Sequence, residues 1–334
     1  MSSTVEQIQF FVRLFTSIVW EAMPFIVLGA LIAGILEELL PQQLIGKIMP
    51  KSALPAVVIG GLLGLIFPMC ECGIVVVMRR LLRKGLPLSC CIAYMLAGPI
   101  LNVIVLMSTW VAFKGHGYGY EMVLLRAGMG FFVACTTGLV VHIVHRKHGN
   151  ALLKPLAMPQ AAASSEDDDD KPVKKPLAQR IGNISQTALH DFMDIMVFLI
   201  LGSLIAAVVK LYITPEQVAS ITRDQPYLTI PVMMFLAVVM CLCSEADAFV
   251  AASFTEAAFS AKLSFLVLGP MFDLKLLMMF TRVFRTRLIA VIVGCTVTQV
   301  LVYCMIFHAA TGGANPHWFP NSAAAATQLA VPVK

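Results

Sequence analysis

The chain of 334 residues is 59% hydrophobic and 13% charged, against roughly a quarter charged in a soluble globular domain, which excludes a soluble enzyme and a disordered chain alike. Its formal charge of +5, from 24 Lys+Arg against 19 Asp+Glu, is too small and scattered to attract nucleic acid, but it suffices to orient a protein in a bilayer. What remains is an all-α, polytopic membrane protein whose first partner is the lipid bilayer.

Eight apolar segments approach the roughly 20 residues needed to cross the hydrocarbon. In chain order they are Phe10–Leu36, Leu54–Met78, Leu86–Phe113, Met122–Val144, Thr187–Val209, Leu228–Phe249, Leu263–Phe280 and Leu288–Phe307. The first lacks the pattern of a cleaved signal peptide and is expected to be retained. Between the fourth and fifth lies a polar stretch with Glu166, Asp167, Asp168, Asp169 and Asp170 followed by Lys171, Lys174 and Lys175, which reads as a solvated linker. The organisation expected is a first transmembrane repeat over 1–145, a charged cytoplasmic linker over 146–186, a second repeat over 187–309 and a tail over 310–334.

The two sides of the linker match at a constant shift. Cys70-Glu71-Cys72 in the second segment corresponds to Cys241-Leu242-Cys243 in the sixth, 171 residues later. The same shift carries Ser89 to Ser260, Gly98-Pro99 to Gly269-Pro270 and Asn102 to Asp273, and a shift of 173 aligns Gly29–Ala33 with Gly202–Ala206 and Glu21 with Asp194. Two repeats of four segments follow, an arrangement common in secondary transporters.

If the second and sixth segments break or re-enter, at Pro68–Gly73 and at Cys241–Asp247, each repeat has an odd number of crossings and the repeats are inverted. The N-terminus is then outside, and Lys47, Lys51, Arg79, Arg80, Arg83, Lys84, the linker and Arg282, Arg285 and Arg287 share the cytoplasmic side, in keeping with the positive-inside rule. Eight uninterrupted crossings distribute the basic residues less well. Pro68, Gly73, Gly98, Pro99, Gly269 and Pro270 are the residues expected to break helices.

Nine cysteines, most of them inside the apolar segments, do not form a secreted disulfide framework. Thiolates select soft ions and carboxylates compensate charge, so Cys70, Cys72, Cys241 and Cys243 are candidate ligands for a metal, joined in a substrate site by Glu71, Asn102 and Asp273. Thiols two residues apart meet one ligand best where the backbone unwinds. Cys135, Cys295 and Cys304 read as packing, and Cys90 and Cys91 as packing or as access to the pathway.

Ionisable groups in hydrocarbon cost roughly 2.5–3.5 kcal/mol each on insertion scales, which marks Glu71, Glu245, Asp247 and Asp273 as proton-coupling candidates, with Glu21, Asp194 and Arg126 nearer segment ends. An internal ion pair of Arg126 or Lys275 with one of these acids is the structural alternative. Glu256 and Lys210 read as interfacial. Most of the nineteen methionines read as packing, and His142, His145 and His148 as an interfacial anchor. No nucleotide-binding loop or nucleophile motif is present, so neither a cofactor nor enzymatic activity is expected.

Pro68-Met69-Cys70-Glu71-Cys72-Gly73, Arg83-Lys84-Gly85-Leu86-Pro87 and Ala97-Gly98-Pro99-Ile100-Leu101-Asn102 resemble the bacterial predicted-permease family that includes ArsP-type organoarsenical efflux permeases, YraQ-type proteins and members associated with copper and zinc efflux. The resemblance implies a multi-pass permease of the bacterial inner membrane that exports thiophilic species, with the family's cysteine motif on Cys70 and Cys72. Two departures stand out. Ile74-Val75-Val76-Val77 occupies the place where the family often has a proline, and the charged Glu71 leans towards a cationic metal over a neutral methylated arsenical.

The leading expectation is proton-coupled secondary efflux of a soft metal ion or metalloid. A transmembrane thiol-disulfide electron relay and a permease for a small sulfur-containing or anionic solute are the alternatives, and a homo-oligomer is compatible with each.

Overall fold

The computed structural model describes residues 2–39, 52–67, 69–154, 177–212, 226–255 and 257–312, and these are almost wholly helical. The first repeat holds α1 (Ser2–Leu39), α2 (Ala53–Ile66), α3 (Glu71–Arg83), α4 (Leu88–Ala97), α5 (Val103–Phe113) and α6 (Gly119–His148). The second holds α7 (Leu177–Tyr212), α8 (Pro226–Met240), α9 (Ala246–Ser253), α10 (Phe259–Met271), α11 (Leu274–Val283) and α12 (Thr286–Thr311). The outer segments of each repeat stay whole, and both inner ones break, so the third and seventh segments are interrupted as well as the second and sixth.

The second segment is a re-entrant hairpin. Gly60 packs on Cys90 and Gly64 on Gly98, so α2 and α4 run parallel, while Ile74 at the start of α3 meets Gly98 at the far end of α4. The chain must therefore return along α3 before it re-enters as α4. Ideal Cβ atoms at Gly60 and Gly64 would lie 2.3 Å from the Cys90 carbonyl oxygen and 2.6 Å from Gly98 Cα. The glycine run thus serves this close crossing. In contrast, α4 and α5 form one interrupted crossing antiparallel to α6, with Ser89 and Ala93 beside Gly138, Ile100 beside Gly130, and Thr109 beside Arg126.

The second repeat follows the same path. Ser264 Oγ donates to the Ile230 carbonyl oxygen, Tyr227 and Ser260 both meet His308, and Gly269 at the end of α10 meets Asp247 at the start of α9.

Each repeat therefore has three crossings. Their relative direction follows from the helices that correspond. Gly34 of α1 packs on Ile184 of α7, while further along Glu38 pairs with Arg180 and accepts from Asn183, so the two helices are antiparallel. Phe132 stacks on Tyr303 and Thr136 bonds Gln299, so α6 and α12 are antiparallel too. Repeat-related helices pointing in opposite directions define inverted repeats.

The charge at the two ends agrees with this topology. The end of α6 is tied to the α11–α12 joint by the Leu153–Phe284 bridge and by Arg285 N donating to Leu152 O at 3.1 Å. Arg83, Lys84, Arg146, Lys147, Arg180, Arg282, Arg285 and Arg287 gather at this end. Trp20, Leu54, Ile66, Ile143, Leu189, Met193, Phe235 and Ile306 are exposed on the outside of the bundle, an apolar surface that only lipid or another membrane chain can cover.

Several expectations need correction. Arg79 and Arg80, placed just beyond the end of the second segment at Met78, lie inside α3 and are buried, held by an ionic network with α7. Arg80 Nε and Nη2 make a two-pronged contact at 2.7 Å with the Asp191 carboxylate, Arg79 bonds both Asp191 and Asp194, and Arg282 reaches Asp194 at 3.4 Å. Gly73 does not break a helix. It lies in the first turn of α3, where α1 crosses so closely that a Cβ would sit 2.9 Å from the Phe25 carbonyl oxygen. Gly269 and Pro270 lie within α10, and the chain leaves the helix only at Phe272 and Asp273. Pro68, Lys47, Lys51, the acidic run of the linker, Glu256 and the side chain of Lys210 fall outside the described residues.

Six crossings place both ends on one side. Reporters fused before Ser2 and after Gly312 are expected on the same face, opposite a tag inserted at Lys84. Finding the two ends on opposite faces contradicts the inverted arrangement.

Candidate functional site

The helix breaks of both repeats converge at the middle of the bundle. Cys70 precedes α3 in extended conformation, Glu71 and Cys72 occupy its first turn, and Cys241, Leu242 and Cys243 are wholly unwound between α8 and α9. Cys241 adopts a φ of 47°, the sole left-handed non-glycine among the described residues, a conformation that costs energy and recurs at functional positions. The expectation of unwound thiols holds fully for the second pair and for Cys70 of the first.

Lys275, in the first turn of α11, is the hub. Its Nζ donates to Glu71 Oε1 at 2.9 Å and to the Cys241 carbonyl oxygen at 3.4 Å, and it lies 3.4 Å from Asp273 Oδ2. These contacts match the three donors of an ammonium group. The other Glu71 oxygen accepts from Ser244 Oγ at 3.3 Å. Both acids sit where helix ends favour them: Glu71 lies in the first turn of α3, and Asp273 caps α11, its Oδ1 accepting from Leu276 N at 2.6 Å. Asn102 plays the matching part for α5, accepting from Ile104 N at 3.0 Å. The Asn102/Asp273 correspondence is thus a pair of helix caps.

The thiols surround this ion pair. Cys72 lies within electrostatic range of Cys70, Glu71 and Lys275, and Cys243 is in range of Lys275, Glu71 and Cys72. Cys70, Cys72, Cys241 and Cys243 are all buried free thiols. Among the described residues no three of His, Cys, Asp and Glu are grouped so as to hold a metal ion, so the four-thiol ligand set is not preformed. Cys135 and Cys304 are buried among apolar neighbours, Cys90 lies in the α2–α4 contact, and Cys91 is buried in the core.

A second polar group adjoins the first. Arg126, fully buried in α6, donates from Nη1 to Thr109 Oγ1 at 2.7 Å and from Nη2 to the Ser244 carbonyl oxygen at 3.1 Å, with Asp247 and Glu245 in electrostatic range. Arg126 lies in the second turn of α6, near a segment end as expected, and its side chain reaches the unwound backbone at Ser244. The Lys275–Glu71 pair is the internal ion pair that the sequence offered as the structural alternative to proton coupling, whereas Ser244 was not singled out from the sequence. The available signal was that a lysine and an arginine within apolar segments demand partners.

Because Glu71 and Lys275 are each 1% exposed, removing one strands the other, at a typical cost of about 3–5 kcal/mol. Lys275→Met is expected to lower the melting temperature of the purified protein markedly, and Lys275→Met/Glu71→Gln to recover part of that loss. Equal destabilisation by the single and double variants contradicts the pairing.

The sequence matches the ArsP_1 family, described as predicted permease, over residues 7–309. It is 36% identical over 294 residues to the UPF0718 protein YcgR of Bacillus subtilis (strain 168), covering 86% of this chain and 93% of that protein. It is 34% identical over 294 residues to a protein of Streptococcus mutans serotype c (strain ATCC 700610 / UA159) named putative two-component membrane permease complex subunit, covering 88% of this chain and 93% of that one. No solved structure matches the chain significantly.

Proposed function

The chain belongs to the ArsP_1 predicted-permease family, and on that premise we propose that it exports a soft, thiol-seeking metal or metalloid in exchange for protons, across the inner membrane of a bacterium. The observation that carries this reading is that Cys72 and Cys243, one from each inverted repeat, are both buried within electrostatic range of the Glu71–Lys275 pair at the unwound centre. Soft sulfur donors in a polar, re-entrant site at membrane depth suit such a solute. The basic end faces the cytoplasm by the positive-inside rule.

Lys275 refines the substrate. An acid between two thiols taken alone leans towards a cation, but here an ammonium already neutralises Glu71 and lies against Asp273. A bare divalent ion meets that positive charge, whereas an uncharged trivalent metalloid exchanges its oxygen ligands for thiols without displacing it. We therefore favour the metalloid. The name of the Streptococcus relative suggests that a second, different membrane subunit works with this chain.

Buried thiols from both repeats within electrostatic range of one another also favour a second reading, a thiol-disulfide relay between the repeats. It predicts a mixed disulfide with a thioredoxin-like protein, whereas export predicts none.

Everted vesicles containing the protein are expected to accumulate arsenite or methylarsenite when a proton gradient is imposed. Cys72→Ser and Cys243→Ser should each abolish this, and Cys304→Ser should leave it intact. Normal accumulation by Cys72→Ser/Cys243→Ser overturns the thiol assignment.

A further inference from the structure

The buried acids near the centre fall into two kinds. Those around Lys275 are engaged: both Glu71 oxygens have donors, and Asp273 accepts from the Leu276 amide through Oδ1, while its Oδ2, though without a hydrogen-bond partner, lies 3.4 Å from the Lys275 ammonium. Those around Arg126 are not. Asp247 Oδ2 and Glu245 Oε1 have no hydrogen-bond partner, and neither does Arg126 Nε, although Asp247 is 2% exposed and Arg126 is fully buried. Unmatched buried donors and acceptors in one neighbourhood are costly and call for an exchangeable occupant, a proton or water. The space for Asp247 is itself built in, since a Cβ at Gly269 would come within 2.9 Å of Oδ2.

We propose that Asp247 is the proton-carrying carboxyl of this permease, and that Arg126 is the positioning residue that expels its proton, at a subsite separate from the thiols that take the solute. The inference rests on the export reading above and divides its labour between two acids.

Ser244 links the two subsites. Its hydroxyl donates to Glu71, and its carbonyl accepts from Arg126. A solute that draws Cys72 and Cys243 together shifts the unwound backbone beside Glu71, moves the Ser244 carbonyl, and releases Arg126 Nη2 towards Asp247. The O–H bond of protonated Asp247 then breaks as the guanidinium takes over the carboxylate, and the proton leaves to water. After the solute departs, Arg126 returns to Ser244, and Asp247 takes up one proton. No electron moves.

Besides Arg126 from α6, the charges acting on Asp247 are Glu71 from α3 and Asp273 and Lys275 at α11. Glu245 precedes Asp247 at the start of α9, and it is in range of Glu21, which is exposed in the middle of α1.

The test uses the full chain in proteoliposomes with arsenite as the probe. Asp247→Asn is expected to keep exchanging arsenite across the membrane with no gradient, yet to lose accumulation driven by a proton gradient. Glu71→Gln should lose both. In unbuffered detergent solution with a pH indicator, arsenite should release protons from the wild-type protein and none from Asp247→Asn. Ser244→Ala should still bind arsenite, with a shifted pH profile of exchange. Proton-driven accumulation, or proton release, that persists in Asp247→Asn overturns the inference while leaving export standing. A wild-type protein that neither binds nor moves arsenite overturns the export reading and the inference with it.

Discussion

The structure depends on one buried contact, the Lys275–Glu71 ion pair. An ammonium and a carboxylate placed in the middle of a membrane domain are each expensive, and they persist only because they satisfy one another and their remaining hydrogen-bond capacity goes to Asp273, Cys241 and Ser244. The pair joins the re-entrant hairpin of one repeat to the interrupted crossing of the other. It thereby holds four chain breaks at one level, and it keeps the thiols of both repeats around a common point. Without it, α3 would have no electrostatic anchor at its inner end.

The other end of α3 is held just as firmly. Arg79 and Arg80 bind Asp191 and Asp194 of α7, so a single short helix is clamped to the second repeat at both ends. The repeats are symmetric in their helices, caps and thiols but not in their charges. Lys275 stands where the first repeat has Ile104, and Arg79 where the second has Val250. Duplication supplied the scaffold, and the charges give it direction.

Much of the fold was legible in the sequence because its signals are local or periodic. The shift of 171 residues identified the duplication, and the glycine, proline and Cys-x-Cys cluster marked where the second and sixth segments break. The interruptions of the third and seventh were less legible, because Gly-Pro suggests a kink. Asn102 and Asp273, three residues past each proline, carried the stronger sign as helix caps. The partners of Arg79, Arg80, Arg126 and Lys275 could not be read locally. Asp191 and Glu71 lie 112 and 204 residues from Arg79 and Lys275, and only the three-dimensional crossing of the repeats brings them together. For the same reason Glu71 alone pointed to a cation, and Glu71 beside Lys275 does not.

The central claim is that inverted repeats bring Cys72 and Cys243 within reach of one solute atom. It is tested most directly in a chain whose other cysteines are replaced by serine, treated with a trivalent aryl arsenical that bridges neighbouring thiols, and weighed intact. A single arsenic joined to both sulfurs, lost when either cysteine is removed, is the predicted result. Separate adducts on each thiol, or none, would contradict the account.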